Sequence, residues 1–144
     1  MTVAVRAVHS PRVTVRASSS ASSNLRRRRG EAAEELAAGY LTTRGIPILA
    51  RNIRCKGGEI DILCLDGTFL TVIEVRQRAR GRFGGALASV TPAKQRKIIR
   101  AARYLLQTSA QWRDRLMRFD VIGVEGVPEG AYEISWVKDA FRAR

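Results

Sequence analysis

The segment from Gly58 to Arg78, GEIDILCLDGTFLTVIEVRQR, constrains the fold more than any other part of the chain. Two apolar runs rich in β-branched residues, separated by Asp66-Gly67, read as a β-hairpin. Pairing symmetric about Asp66-Gly67 sets residue 61 opposite 72 and 59 opposite 74. Side chains alternate along strands, so Glu59, Asp61, Val72, Glu74 and Arg76 are expected on one face and Ile60, Ile62, Ile73 and Val75 on the other. Ile60, Ile62, Leu63, Leu70, Val72, Ile73 and Val75 mark both strands as central, where an ionised group without a task is costly.

The flanking segments supply helices and further strands. EAAEELAAGYLTTRG predicts a helix over 31–44, with good helix formers, acids in its first turn and Gly45 as a stop. Ala33, Leu36, Ala37 and Tyr40 form its packing stripe. IPILARNIR, 46–54, predicts a strand, and Pro47 near its start favours a sheet edge. Beyond the hairpin, ARGRFGGALASVT is a Gly- and Arg-rich loop over 79–91, followed by a helix over 92–108 with Thr91 as cap and Pro92 in the first turn. Ile98, Ala101, Ala102, Leu105 and Leu106 make its buried stripe and leave Arg96, Arg100 and Arg103 on another side. RFDVIGVE and AYEISWV predict two more strands, before a short C-terminal segment, KDAFRAR. The expected architecture is one α/β domain over 30–144, a central mixed sheet flanked by helices.

Charge narrows the partner. The 26 Lys and Arg against 13 Asp and Glu leave a formal +13, which points to a polyanion. Residues 1–30 hold seven arginines and no acid. Residues 1–29 read as a disordered basic tail, with an organelle transit peptide or a start downstream of Met1 as the other readings. Between Glu74 and Asp114 no acid occurs, while Arg76, Arg78, Arg80, Arg82, Lys94, Arg96, Lys97, Arg100, Arg103 and Arg113 are all basic. A charge run is usually a solvated face, but this one starts at a pair of carboxylates and is placed to steer phosphates. Arg78, Arg80, Arg82, Lys94, Arg96 and Arg100 are the expected nucleic-acid contacts. Cys55 and Cys64 have no CxxC or Cys/His spacing and suggest neither zinc nor a disulfide framework. No apolar run approaches the roughly 18 residues that span a bilayer, and a cytoplasmic location is the expectation.

Three acids stand out against this background: Glu34 on the first helix, Asp61 and Glu74 on the hairpin. Opposed strand residues lie about 4.5–5.5 Å apart and diagonal ones about 7–8 Å, so Asp61 and Glu74 can reach one hard cation such as Mg²⁺ or Mn²⁺. Both are expected to project toward the helix that carries Glu34. The plain structural reading is a polar cross-strand cluster in which Arg76 neutralises the two acids. Glu59, beside Gly57-Gly58, suits a structural role as well as a supporting one; Asp120 is read as a charge partner of Arg118; and His9, in the tail, supports no catalysis.

The order Gly30, Ala33-Glu34, Tyr40-Leu41, Arg51-Asn52, GGEIDIL, VIEVRQR, Ala88-Ser89-Val90-Thr91, Lys94-Gln95 and RFDVI resembles the bacterial YraN (UPF0102) family over about residues 30–141. That family is similar to the PD-(D/E)xK nucleases and to archaeal Holliday-junction resolvases. The resemblance implies a restriction-endonuclease-like fold, with Glu34 matching the helical acid, Asp61 the strand acid and Glu74 the acid of the E-x-K element. It also implies a Mg²⁺- or Mn²⁺-dependent nuclease acting on DNA, on branched or recombination intermediates, with Glu34, Asp61 and Glu74 as metal ligands and Asp61, Glu74 and Arg76 at the chemistry. Arg76 stands where the nuclease pattern has lysine. Arginine holds phosphate but is a poor proton acceptor. A non-catalytic DNA-binding accessory protein is therefore the alternative, and an RNA- or ribosome-associated protein a third. The oligomeric state stays open, a homodimer included.

Overall fold

A computed structural model describes residues 4–5, 22–78, 85–126 and 131–143. Arg80, Arg82 and His9 lie outside the described residues, as does most of the segment read as a tail. In chain order the elements are β1 Ala4–Val5, α1 Ser22–Thr43, β2 Ile48–Cys55, β3 Gly58–Asp66, β4 Phe69–Arg78, α2 Gly85–Ala88, α3 Pro92–Thr108, a 3₁₀ turn Ala110–Trp112, β5 Leu116–Gly126 and β6 Tyr132–Phe141. The strands form one mixed sheet in the order β1-β6-β5-β4-β3-β2. Among the described strands only β4 and β5 run parallel, because α2 and α3 carry the chain back across the sheet between them. β2 is an edge, as Pro47 indicated.

α2 forms within the segment expected as a loop over 79–91, β1 lies within the segment read as a tail, and two boundaries of longer elements differ from the expectation. α1 starts at Ser22 rather than at residue 31. Arginine ranks among the better helix formers and no proline intervenes, so the helical backbone extends back through 26–29. β6 runs on to Phe141 and takes up Lys138 to Phe141, which were expected beyond the strand. The ladder with β5 is irregular there, and Asp139 takes a φ of 53°.

The hairpin turn is also displaced. Asp66 pairs with Phe69 and Ile62 with Ile73, so the two turn residues are Gly67 and Thr68 instead of Asp66 and Gly67. Gly67 has φ +61°, the positive angle that a II′ turn requires at its first central position and glycine alone adopts freely. The corrected register moves Asp61 from opposite Val72 to the row of Glu74.

Two apolar layers sandwich the sheet. α1 covers Ile62, Cys64, Ile73, Ile122, Val124 and Trp136 with Ala33, Ala37, Ala38, Tyr40 and Leu41. α3 covers Leu63, Leu70, Val72, Phe119 and Val121 with Ile98, Ala101 and Ala102. Ile60 belongs to the α3 layer, not to the face of Ile62 and Ile73 where strict alternation put it. The alternation breaks where Asn52, between the pairs Arg51–Ile62 and Ile53–Ile60, takes a left-handed φ of 52°. Asp61 sits at that break.

α3 lies against the β2–β3 turn because Gly57 and Gly58 have no side chains. A Cβ at Gly58 would come 2.7 Å from the Lys97 carbonyl oxygen, and one at Gly57 would come 2.5 Å from Cδ of Arg100. Gly39, on α1, has nothing within 4 Å of an added Cβ. We therefore expect Gly58→Ala to destabilise the domain by about 1–3 kcal/mol through overpacking. Gly39→Ala should stabilise it by about 0.5–1 kcal/mol through helix propensity. Urea unfolding of the two variants checks both signs.

Candidate functional site

β3 and β4 present Asp61 and Glu74 side by side where the regular ladder between them ends at Ile62–Ile73. Beyond that pair Val75 donates its backbone N–H to Asp61 Oδ2 at 2.9 Å, so a side chain replaces the next ladder bond. Glu74 follows Val72 on the α3 side of the sheet and is 4% exposed. Its Oε1 lies 3.7 Å from Arg76 Nε and 3.8 Å from Lys94 Nζ. The expectation that both hairpin acids point to α1 is thus corrected: Glu74 meets α3, while Asp61, in the break, faces Glu34 as well. Burial, then the charge of Asp61, push Glu74 from 4.5 up to about 8, against the pull of Lys94 and Arg76. The two carboxyls are close enough to share a hydrogen bond.

Glu34 reaches the pair through Asp61. Burial raises its pKa and the charge of Asp61 raises it further, while a hydrogen bond from Asn52 and the charge of Arg51 oppose the shift. Glu34, Asp61, Asn52, Glu31 and Glu59 line a cleft of about 400 Å³ together with Arg54, which pairs with Glu59 at 3.4 Å. The left-handed Asn52 is a site residue that the charge pattern alone misses; its only sequence signal is the Arg51-Asn52 pair. Among the described residues no three His, Cys, Asp or Glu side chains converge tightly enough to cage a metal ion. Asp61 and Glu74 are a pair, and Glu34 stands back from it.

The basic residues divide. Arg76 is half-buried: its Nη2 donates to the Ser89 carbonyl at 3.0 Å, and its buried Nε has no hydrogen-bond partner among the described residues. Lys94, expected only as a phosphate contact, comes back onto Glu74 from the first turn of α3. Thr91 Oγ1 caps that turn by accepting from Lys94 N, and Gln95 Nε2 donates to the Val90 carbonyl. Arg96, Arg100 and Arg103 are exposed on α3 and, with Pro92, Gln95, Ile99 and Arg142, line a groove of about 520 Å³. Arg78 is half-buried at the end of β4. Asp120 has the structural role expected of it: fully buried, it accepts from Arg118 Nε and Nη2, Trp136 Nε1 and Asp139 N at 2.8–2.9 Å. Cys55 and Cys64 are free thiols.

A family model described as "Uncharacterised protein family UPF0102" matches residues 33–124, a span holding Glu34, Asp61, Glu74, Arg76 and Lys94. The chain belongs to the UPF0102 family. A UPF0102 protein of Nitrosococcus oceani is 47% identical over 116 residues, which cover 81% of this chain and 93% of that protein. One from Pseudomonas putida is 43% identical over 114 residues, 79% of this chain and 93% of the relative. One from Pseudomonas entomophila is 42% identical over 112 residues, 78% and 91% of the two chains. This UPF0102 chain has, among its described residues, no helix long and apolar enough to cross a membrane.

The raised pKa of Glu74 has a consequence for stability. Without metal, the folded protein keeps a proton on Glu74 that the unfolded chain releases near 4.5, so rising pH between about 4.5 and 8 favours unfolding. Glu74→Gln removes that contribution. Its melting temperature in EDTA should gain on the wild type steadily from about pH 5 to pH 8, the window set by the shift. A constant difference across that range would show that Glu74 is ionised throughout.

Proposed function

We propose that this chain is a phosphodiesterase that cuts DNA with the help of Mg²⁺ or Mn²⁺, on a restriction-endonuclease-like fold. The observation that carries the reading is the Asp61–Glu74 pair, a half-buried and a buried carboxyl held together beside a cleft lined by further acids and next to a basic helix. Supporting the fold assignment are the mixed sheet with helices on both faces and the acids on two adjacent strands within it.

The residues suit a hard cation: two neighbouring carboxylates, one of them almost fully buried and approached by cations only at 3.7 and 3.8 Å, would be relieved by a divalent ion. When bound, such an ion supplies an acidified water and neutralises charge on the phosphate. Asp61 and Glu74 would hold it, and Glu34 would support it from the α1 side of the cleft. Asp61 is oriented by the Val75 N–H and Glu34 by Asn52. Arg76 and Lys94 provide the positive charge beside Glu74 for the phosphate under attack. Hydrolysis forms one bond from water oxygen to phosphorus, breaks one phosphorus–oxygen ester bond and delivers a water proton to the leaving oxygen. Arg78, Arg96 and Arg100, with Arg80 and Arg82, carry the duplex backbone. Branched or recombination intermediates are the proposed substrates, on the strength of the family resemblance, and the cytoplasm the proposed place of action.

The accessory-protein reading keeps one observation on its side, since Arg76 is engaged with a backbone carbonyl where the nuclease pattern has a free lysine. Asp61→Asn and Glu74→Gln should each abolish calorimetric Mn²⁺ binding and all cleavage of labelled duplex, flap and four-way-junction DNA, while DNA affinity persists. If the wild type binds no Mn²⁺ and cuts none of these, the accessory reading replaces this one. Replacing Arg96 and Arg100 by Ala should weaken duplex binding across sequences. It should also flatten the dependence of log affinity on log salt by about 0.9 for each lost phosphate contact. An unchanged slope would make those arginines a merely solvated face.

A further inference from the structure

We propose that Lys94, presented to Glu74 from the first turn of α3, is the residue that contacts the phosphate under attack, and that Arg76 is a positioning residue. The inference rests on the nuclease reading and assigns roles within it.

Both cations lie almost equally far from Glu74 Oε1, 3.7 Å for Arg76 Nε and 3.8 Å for Lys94 Nζ. They differ in what else they do. The Arg76 guanidinium is already committed, through Nη2, to the Ser89 carbonyl on the segment that leads into α3. Its side chain is 28% exposed and that of Lys94 36%. Ser89 is itself tied by its Oγ to the Ala86 carbonyl, so the guanidinium spans from β4 to a segment with its own fixed geometry. Turning it onto a phosphate would break a part-buried hydrogen bond.

Lys94 has no such commitment: among the described residues its side chain pairs with Glu74 alone. Its backbone, by contrast, is fixed by the Thr91 cap, and the neighbouring Gln95 binds back to Val90 and Thr91. An ammonium with three donors on a flexible stem, mounted on a rigid base, can hold a non-bridging phosphate oxygen without breaking anything. A cation in the first turn of a helix also opposes the helix dipole, and no acid in that turn of α3 compensates. What favours Lys94 there is the Asp61–Glu74 carboxyl pair across the gap. In this geometry α3 supplies the lysine that the E-x-K element lacks at position 76, and the Arg76–Ser89 bond holds the start of α3 at the right distance.

The test uses whichever of the duplex, flap or junction DNAs the wild type cuts fastest in Mn²⁺, and single-turnover rates. Lys94→Ala should slow cleavage by about 10²–10³-fold, the usual cost of one lost charge-stabilising donor. Lys94→Arg should retain more activity than Lys94→Ala. Arg76→Ala should also slow cleavage, but the double variant Arg76→Ala/Lys94→Ala should be no slower than Lys94→Ala alone. A purely structural loss at Arg76 would instead add to it.

A binding readout, taken in EDTA so that no turnover occurs, uses the same DNA with a neutral methylphosphonate at the mapped cut position. That change should weaken binding by the wild type about tenfold, the value of one charge-assisted hydrogen bond, and weaken binding by Arg76→Ala less, because Lys94 is then misplaced. It should leave the Kd of Lys94→Ala unmoved. Cleavage by Lys94→Ala within about threefold of wild type, or a wild-type response of that variant to the methylphosphonate, overturns this proposal alone. A wild type that cuts none of the DNAs overturns it together with the nuclease reading.

Discussion

The forced proximity of two carboxylates, Asp61 and Glu74, is the constraint on which the rest of this molecule turns. Two like charges in a nearly dry place repel, and Glu74 responds by holding its proton up to about 8. The fold keeps them together because neither residue sits on an ordinary stretch of ladder. β3 parts from β4 after Ile62–Ile73, and the vacated Val75 N–H goes to Asp61. Asn52 takes a left-handed backbone beside the same point and hydrogen-bonds Glu34. A local failure of regular pairing is thus turned into a fixed arrangement of acids.

The contrast with Asp120 shows why one buried acid is structural and the other suits a ligand. Asp120 is fully buried and saturated, with four donors at 2.8–2.9 Å from Arg118, Trp136 and Asp139. Arg118 is in turn shared with Asp66, which Lys138 also approaches at 2.9 Å. This network ties β5 to β6 and to the hairpin end, and removing one partner of such a buried cluster leaves the other uncompensated. The cations beside Glu74 stay at 3.7 Å and beyond. Glu74 is thus held by a proton and two cations at a distance, where Asp120 is held by a closed set of donors.

The two sides of the sheet carry opposite characters around this point. Below α1 lies the cleft of Glu31, Glu34, Glu59 and Asp61; along α3 lies the groove of Arg96, Arg100, Arg103 and Arg142. α3 gets close enough to bring Lys94 to Glu74 because Gly57 and Gly58 leave room for its main chain and for the stem of Arg100. Packing in the apolar layers therefore sets the distance between the acidic and basic halves of the site.

The sequence by itself determined the two long helices, the five longer strands, the mixed α/β class and the identity of the acids. Apolar periodicity and glycine and proline signals are local properties, and Pro47, Gly67, Thr91 and Pro92 act within a few residues of themselves. It also marked Glu34, Asp61 and Glu74 as out of place in a basic chain, and paired Asp120 with Arg118 from nearness in sequence. Which two residues close the hairpin was missed, because Asp66-Gly67 and Gly67-Thr68 are both acceptable turns and only the pairing of the whole sheet selects between them. The reversal of Ile60, the role of Asn52, the split of the acids between α1 and α3, and the return of Lys94 onto Glu74 were decided by tertiary structure alone. Each depends on the meeting of segments far apart in the chain, such as Lys94 with Glu74 or Glu34 with Asp61, and no periodicity within either segment encodes the distance between them.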